Sequence, residues 1–295
     1  AHIPIADWAA DAKVWIEANL HQCGAMLLRG LPLVTADDFL HFTSGLEYEP
    51  MSYASGTAVR HHVTASVMTA SDEPPDFNIE PHNEMAYARI YPSKILFFCE
   101  TPPDEGGETP IVDVRQYKKR IGPGLRDKIQ QTGIRYLCHL VNAQAQAYTS
   151  WQNAFFTDDQ QEVEAFCRAH NYDFHWDRNH NLTYSYVLPA THMHPKTGEE
   201  VWFNQIAPHH GSYFRNHPNF IDANQPLHTY PFHCQYGDGT EFLPEEIADI
   251  RTAVWSSAIA VPWCQGDILI LDNMLVQHGR MSYEGKRRIL VSIVK

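Results

Sequence analysis

The chain has 295 residues, 44% hydrophobic, 12% aromatic and 19% charged, which excludes a disordered or fibrous protein and suffices for one large domain or two ordinary ones. Lysine and arginine total 22 against 35 for aspartate and glutamate, and the net charge of −13 argues against a surface that tracks nucleic-acid phosphates. No apolar run approaches the roughly 20 residues of a membrane span, and the opening AHIPIADWAADAK lacks the basic start and apolar block of a signal peptide, so a soluble protein with no membrane partner is expected.

DWAADAKVWIEANLHQCG spaces Trp8, Val14, Trp15, Ala18 and Leu20 at helical intervals and stops at Gly24. A short buried strand, AMLLRG, follows, with Arg29 in a structural role. Thr35 precedes ADDFLHFTSGL as a helix N-cap with acids in the first turn. Short strands punctuated by Pro, Gly, Asn and Asp then dominate: KILFFCE, IRYLCHLV, LTYSYVL, EVWFNQI, SAIAVPW, GDILILD and RRILVSIV. The run DFHWDRNHNLTYSY suits a half-buried strand pair. Two more helices fit DDQQEVEAFCRAH and LPEEIADIRTAVWSS, the second with Pro244 in its first turn.

The pattern predicts a mainly β protein with flanking helices, an antiparallel barrel or sandwich rather than a βαβ sheet. Without an internal repeat or a linker, it predicts one domain with an inserted lid or substrate region at roughly residues 120–260. Six cysteines, at 23, 99, 138, 167, 234 and 264, are dispersed with no C-x-x-C pair, and reduced thiols of a cytoplasmic protein are expected.

The stretch NIEPHNEMAY carries the chemistry. If it is extended, His82 and Glu84 project from one face and Asn83 points away. A third ligand must come from elsewhere, and the candidate is His278 in GDILILDNMLVQHGR. Two histidines and one carboxylate on one face of a metal leave the opposite positions open, as in non-haem Fe(II) oxygenases. In a chain with 18 histidines the His-x-Glu spacing does not decide the matter alone.

HNE, GGETPIVD and DNMLVQHGR…EGKRRILV, in that order, resemble the taurine dioxygenase and clavaminate synthase-like superfamily of Fe(II)/2-oxoglutarate oxygenases, over most of the chain from AMLLRG onward. The resemblance implies a double-stranded β-helix, or jelly-roll barrel, with Fe(II) on His82, Glu84 and His278. It implies 2-oxoglutarate on Thr109 and Arg288, and dioxygen as the second cosubstrate. A guanidinium suits the far carboxylate because its planar fork gives two parallel charge-assisted hydrogen bonds. Alternation lets only one of Arg287 and Arg288 face the interior, and Arg288 is the expected one. Because Glu84 fills the carboxylate position, the resemblance implies hydroxylation or another oxygen-driven oxidation rather than halogenation.

Members similar to taurine dioxygenase carry a second arginine four residues after the first. Here that position is Ser292, so a sulfonate substrate is not expected. Glu84 and the block HPKTGEEVWFNQ are similar to members that oxidise amino acids, free or held on a carrier protein, in peptide natural-product pathways. Asn78, Asn204 and Ser292 are candidate contacts to such a small-molecule substrate; Asn78 equally suits a turn, and Asn204 and Gln205 equally suit backbone hydrogen bonding. A second metal cluster among His192, His194, His209 and His210 is disfavoured, because no carboxylate lies between 192 and 194 and Pro195 breaks the strand; polar lid residues are expected. Two other classes stay open: a catalytically silent metal-binding barrel and a zinc hydrolase. Neither needs the carboxylate grip that Thr109 and Arg288 offer.

Overall fold

The computed structural model describes residues 4–52, 61–71, 73–143, 148–220 and 224–295. The chain divides into two compact units, residues 1–117, 193–203 and 254–295, and residues 118–192 and 204–253.

The first unit is built on a six-stranded antiparallel sheet in the order Ala25–Leu28, Ile268–Asp272, Lys94–Thr101, Arg288–Val294, Val67–Thr69, His62–Thr64. The helices Ile5–Cys23 and Ala36–Gly45 cover one face, where Leu96, Phe98, Ile270, Leu290 and Val294 pack against Ile16, Leu20, Phe39 and Phe42. Phe39 stacks on Phe98 at 5.1 Å. Burial of each such side chain contributes about 1.5–3 kcal/mol. Thr35 caps the second helix in a reciprocal capping box with Asp38.

The first helix buries a different stripe from the one its spacing predicts. Ala9, Ile16 and Leu20 are buried with Ile5, Trp8 and Ala12 beside them, while Val14 and Trp15 are 70% and 65% exposed. Each residue turns the helix by about 100°, so the neighbours of Ile16 leave the face it buries. AMLLRG yields the edge strand Ala25–Leu28, only half-buried. SAIAVPW forms a single bridge, Ile259 to Ile111, rather than a strand, and Pro262 offers no ladder donor there.

A second sheet of the first unit has three strands, Ile79–His82, Val276–Arg280 and Ile111–Asp113, with Val276–Arg280 central. The two sheets stay separate in their hydrogen bonding, so the expected closed barrel is not formed among the described residues. Register shifts at His278/Arg280 and Arg288/Ile289 interrupt the ladders, as bulges do.

The second unit carries a four-stranded antiparallel sheet, Phe232–Tyr236, Ile134–Leu140, Leu182–Leu188, Asp173–Trp176. Its core is aromatic, with Trp151, Phe214, Tyr230 and Phe232 packed around Leu140 and Leu182. The helices Gln160–Ala169 and Pro244–Trp255 fall where expected, the first capped by Asp159. Among the described residues no helix is long and apolar enough to cross a membrane.

Candidate metal centre

His278 lies directly opposite His82 on the neighbouring antiparallel strand. Opposed side chains of such a pair start only ~4.5–5.5 Å apart at Cβ, and here the imidazoles meet with centroids 4.4 Å apart. The strand ends at His82, so Glu84 is delivered by a turn over residues 84–87, with Met85 at φ 56°, rather than by continued strand alternation. Its Oε2 lies 3.4 Å from His278 Nε2. The donor atoms of all three residues fall within 4.8 Å of one another, with Glu84 and His278 buried. His82 Nδ1 sits 2.9 Å from the Glu80 carbonyl, which fixes the ring proton there and leaves a lone pair on Nε2 that could ligate a metal. Two imidazoles and one carboxylate are the donor set that suits Fe(II).

Asn273, which sequence reasoning passed over, holds the carboxylate arm. Its Oδ1 accepts from the Glu84 N–H at 2.7 Å, and its Nδ2 donates to the carbonyls of Glu84 and Pro92 at 2.9 and 2.8 Å. Its own carbonyl accepts from Asn83 Nδ2 at 2.6 Å. Every polar atom of a fully buried side chain is thus used to join the Glu84 turn to the turn before the His278 strand. Beside it, Asp272 accepts from the backbone of Met274 and Leu275 and from His194 Nε2 at 3.0 Å. Thr197 N–H donates to the other ring nitrogen of His194, which places its proton on Nε2. Gly279 follows His278 where a Cβ would stand 2.5 Å from the Ile79 carbonyl, so glycine permits the close approach of the two ligand strands.

Thr109 is buried, and its Oγ1 accepts from Trp263 Nε1 at 3.3 Å, which leaves the hydroxyl proton to donate. The arginine pair is arranged opposite to expectation. Arg288 is exposed and pairs with Glu100 on the neighbouring strand. Arg287 turns inward, with its Nε donating to the Gly107 carbonyl at 3.0 Å. The cause is the register: Arg288 opposes Thr101 while Ile289 opposes Cys99, and the skipped Glu100 draws Arg288 outward. Burial, and the neighbouring Arg280 charge, push Arg287 down to about 10, and among the described residues no carboxylate pairs with it. Arg280 is held by the carbonyls of Glu73, Pro74 and Phe77. Gly107, at φ 69°, leaves space for Arg287: a Cβ there would lie 3.1 Å from Arg287 Cδ and 2.8 Å from Pro103.

The taurine catabolism dioxygenase TauD, TfdA family model matches residues 1–294. The chain belongs to the TauD/TfdA dioxygenase family. It is accordingly a non-haem Fe(II)- and 2-oxoglutarate-dependent dioxygenase, with O2 as cosubstrate. The dioxygenase is 33% identical to the dapdiamide synthesis protein DdaC of Enterobacter agglomerans over 286 residues, 95% of this chain and 84% of that protein. It is 30% identical to a clavaminate synthase-like protein of Arabidopsis thaliana over 290 residues, 96% of this chain and 85% of that one. Among solved structures its fold is similar to asparagine oxygenase in complex with Fe(II), 3-hydroxyasparagine and succinate, at TM-score 0.59 and 12% identity, covering 98% of this chain and 79% of that one. PvcB of Pseudomonas aeruginosa is similar at TM-score 0.53 and 14% identity, covering 96% of this chain and 79% of that one.

The remaining candidates of the dioxygenase have the following partners. Asn78 Oδ1 accepts from the Ser282 N–H at 2.6 Å, a turn bond. Asn204 bonds the Ala190 carbonyl and the Ile206 N–H within the second unit. Ser292 opposes Leu96 on the sheet face that packs against the helices, whereas its neighbour Val291 opposes Phe97, whose ring lies 5.0 Å from His278. Ser292 therefore faces away from the triad, because one step along a strand exchanges faces. His194, His209 and His210 are buried rather than lid residues. Arg29 makes a bidentate pair with Asp267, as a structural role requires. Burial pushes the Cys99 and Cys138 thiols up to about 12, which keeps them protonated.

Proposed function

We propose that the dioxygenase hydroxylates, or otherwise oxidises, an amino acid or amino-acid-derived small molecule in natural-product biosynthesis, with the substrate free or tethered to a carrier protein. The names of two similar proteins support the substrate class: DdaC is a dapdiamide synthesis protein, and asparagine oxygenase was solved with 3-hydroxyasparagine. The observation that carries the reading is the in-register histidine pair closed by Glu84 and accompanied by an inward arginine that no carboxylate among the described residues pairs with. The six- and three-stranded sheets are read as the two walls of a jelly roll.

His82, Glu84 and His278 would hold the iron, whose chemistry with 2-oxoglutarate and dioxygen supplies the oxidising equivalents and releases succinate. The chain's own work is positioning. Arg287, rather than Arg288, would grip the far carboxylate of 2-oxoglutarate, and Thr109 would donate its hydroxyl proton to the same group, having already accepted from Trp263. Four residues beyond Arg287 stands Val291, and four beyond Arg288 stands Ser292. Neither gives a cation for a sulfonate, which supports an uncharged or zwitterionic reacting end.

Anaerobic addition of Fe(II) and 2-oxoglutarate to the metal-free protein, then an oxygen pulse with succinate quantified, tests this. Free and carrier-linked amino acids are added as a panel. Succinate that rises with one member of the panel is the expected result and names the substrate class. Succinate formation that no amino-acid-derived compound stimulates would overturn that class.

A further inference from the structure

The second unit contains another set of two histidines and one glutamate whose donor atoms lie within 4.8 Å of one another: His210, His233 and Glu241. His210 precedes the 3₁₀ helix Gly211–Asn216, His233 lies on the strand Phe232–Tyr236, and Glu241 follows the hairpin turn closed by Tyr236 N–H and the Thr240 carbonyl. Both rings are at least 97% buried, at 3% and 0% exposure, and their centroids are 4.9 Å apart. His210 Nε2 is buried with no hydrogen-bond partner, while its Nδ1 lies 2.8 Å from Ser212 Oγ. An orphaned interior ring nitrogen demands a partner.

We propose that His210 Nε2, His233 Nε2 and Glu241 Oε2 form a second metal site for a divalent late first-row cation, zinc foremost. Two histidines and a glutamate are an established zinc donor set, and the half-exposed Glu241 leaves the fourth tetrahedral position to water. The outer contacts fit. Ser212 N–H donates to His210 Nδ1 at 3.4 Å in the metal-free ring, and Ser212 Oγ, which accepts from Arg251 Nη1 at 2.9 Å, lies 2.8 Å from the same nitrogen; coordination at Nε2 shifts the ring proton to Nδ1, where Oγ can accept it. Gln235 Nε2 donates to Glu241 Oε1 at 2.6 Å and leaves Oε2 for the metal. At His233 a bond must be exchanged as well. Gly211 N–H donates to His233 Nδ1 at 3.1 Å, which places the metal-free ring's proton on Nε2, against Glu241 at 2.9 Å. Coordination at Nε2 replaces the hydrogen bond to Glu241 with a metal–nitrogen bond and moves the proton to Nδ1, so the Gly211 N–H must turn away from that nitrogen. The bound ion ties the 3₁₀ helix, the strand and the hairpin of the second unit together.

The test counts metal on the full-length protein, stripped with a chelator, loaded with zinc and desalted. Because the iron triad also accepts zinc, the wild type is expected to retain two zinc ions per chain, His278→Ala and His210→Ala one each, and the double variant none. Glu241→Gln, at an exposed side chain, keeps the test decisive if His210→Ala fails to fold. It is expected to weaken the second zinc at least about tenfold in competition with a chromophoric chelator. Full retention of two ions by Glu241→Gln with unchanged competition overturns the proposal, as does a wild type that holds none, or one that only His278→Ala removes. A single ion that His278→Ala keeps and His210→Ala loses upholds the second site and removes the iron triad instead.

Discussion

The two His-His-Glu clusters of this dioxygenase have the same composition and opposite construction. In the first unit His82 and His278 are opposed across one antiparallel ladder, and a single buried asparagine fixes the turn that brings Glu84 to them. In the second, His210, His233 and Glu241 come from a helical turn, a strand and the residue after a hairpin; each cluster has one buried ring nitrogen without a hydrogen-bond partner, His278 Nδ1 in the first and His210 Nε2 in the second. A ligand set carried by register is formed as soon as the sheet pairs. One carried by loops depends on each loop separately, and a bound ion has more to contribute to it.

The largest expected effects test the first construction. Glu84→Ala or His278→Ala should lower substrate-stimulated succinate by more than about 100-fold, the upper end of what loss of a mere outer-shell partner costs. Substantial oxidative turnover in both variants would show that the register-built triad is not the iron site. Next in size is the arginine pair. Arg287→Ala should raise the half-saturating 2-oxoglutarate concentration roughly 100-fold, for about 3 kcal/mol of charge-assisted hydrogen bonding, whereas Arg288→Ala should change it by no more than about twofold. The reverse ranking would mean that the bulge opposite Glu100 is not kept when 2-oxoglutarate is bound. Asn273→Ala should weaken Fe(II) about 10–100-fold, measured by anaerobic titration, while Asn204→Ala, an equally buried asparagine of the second unit, should leave it unaltered.

These contrasts explain what was legible in the sequence. The meeting of the His-x-Glu pair with the distant His278 could be anticipated because residue identity survives translation into structure even when local conformation is misjudged, as it was for the turn at Glu84. The strand Val276–Arg280 is absent from the expected strands: all five of its residues are buried, but Gln277, His278, Gly279 and Arg280 break any apolar pattern. Arg288 was expected to face inward and Arg287 does instead, since a one-residue shift in the partner strand inverts which faces inward and nothing in GKRRILV encodes Glu100 being skipped. Asn273 was passed over because the service of its amide to two turns at once depends on a fold not yet assembled. His210 was noticed with the wrong companions, because its neighbours in space lie 23 and 31 positions along the chain and share no spacing rule with it.

The smallest effect separates the frame of the first cluster from its surroundings by pH. The Asn273 clamp joins uncharged groups, so its contribution should not vary between pH 7 and pH 3. Glu17, on the first helix, behaves differently. Its burial alone would raise it, but hydrogen bonds from Lys196 and Tyr48 and the charges of Lys94 and Lys196 hold it down at about 2, below its ordinary 4.5. A carboxylate lowered in the folded state contributes its full stability above the unfolded value and loses it as pH falls from about 4.5 towards 2. Because the side chain is 39% exposed, solvent screening keeps that contribution under about 1 kcal/mol. Thermal unfolding of Glu17→Gln against wild type should therefore show a small deficit at pH 7 that narrows steadily below pH 4.5, while the deficit of Asn273→Ala stays level. A Glu17→Gln deficit that is constant with pH would mean that the link between the first helix and Lys196 acts through shape rather than charge.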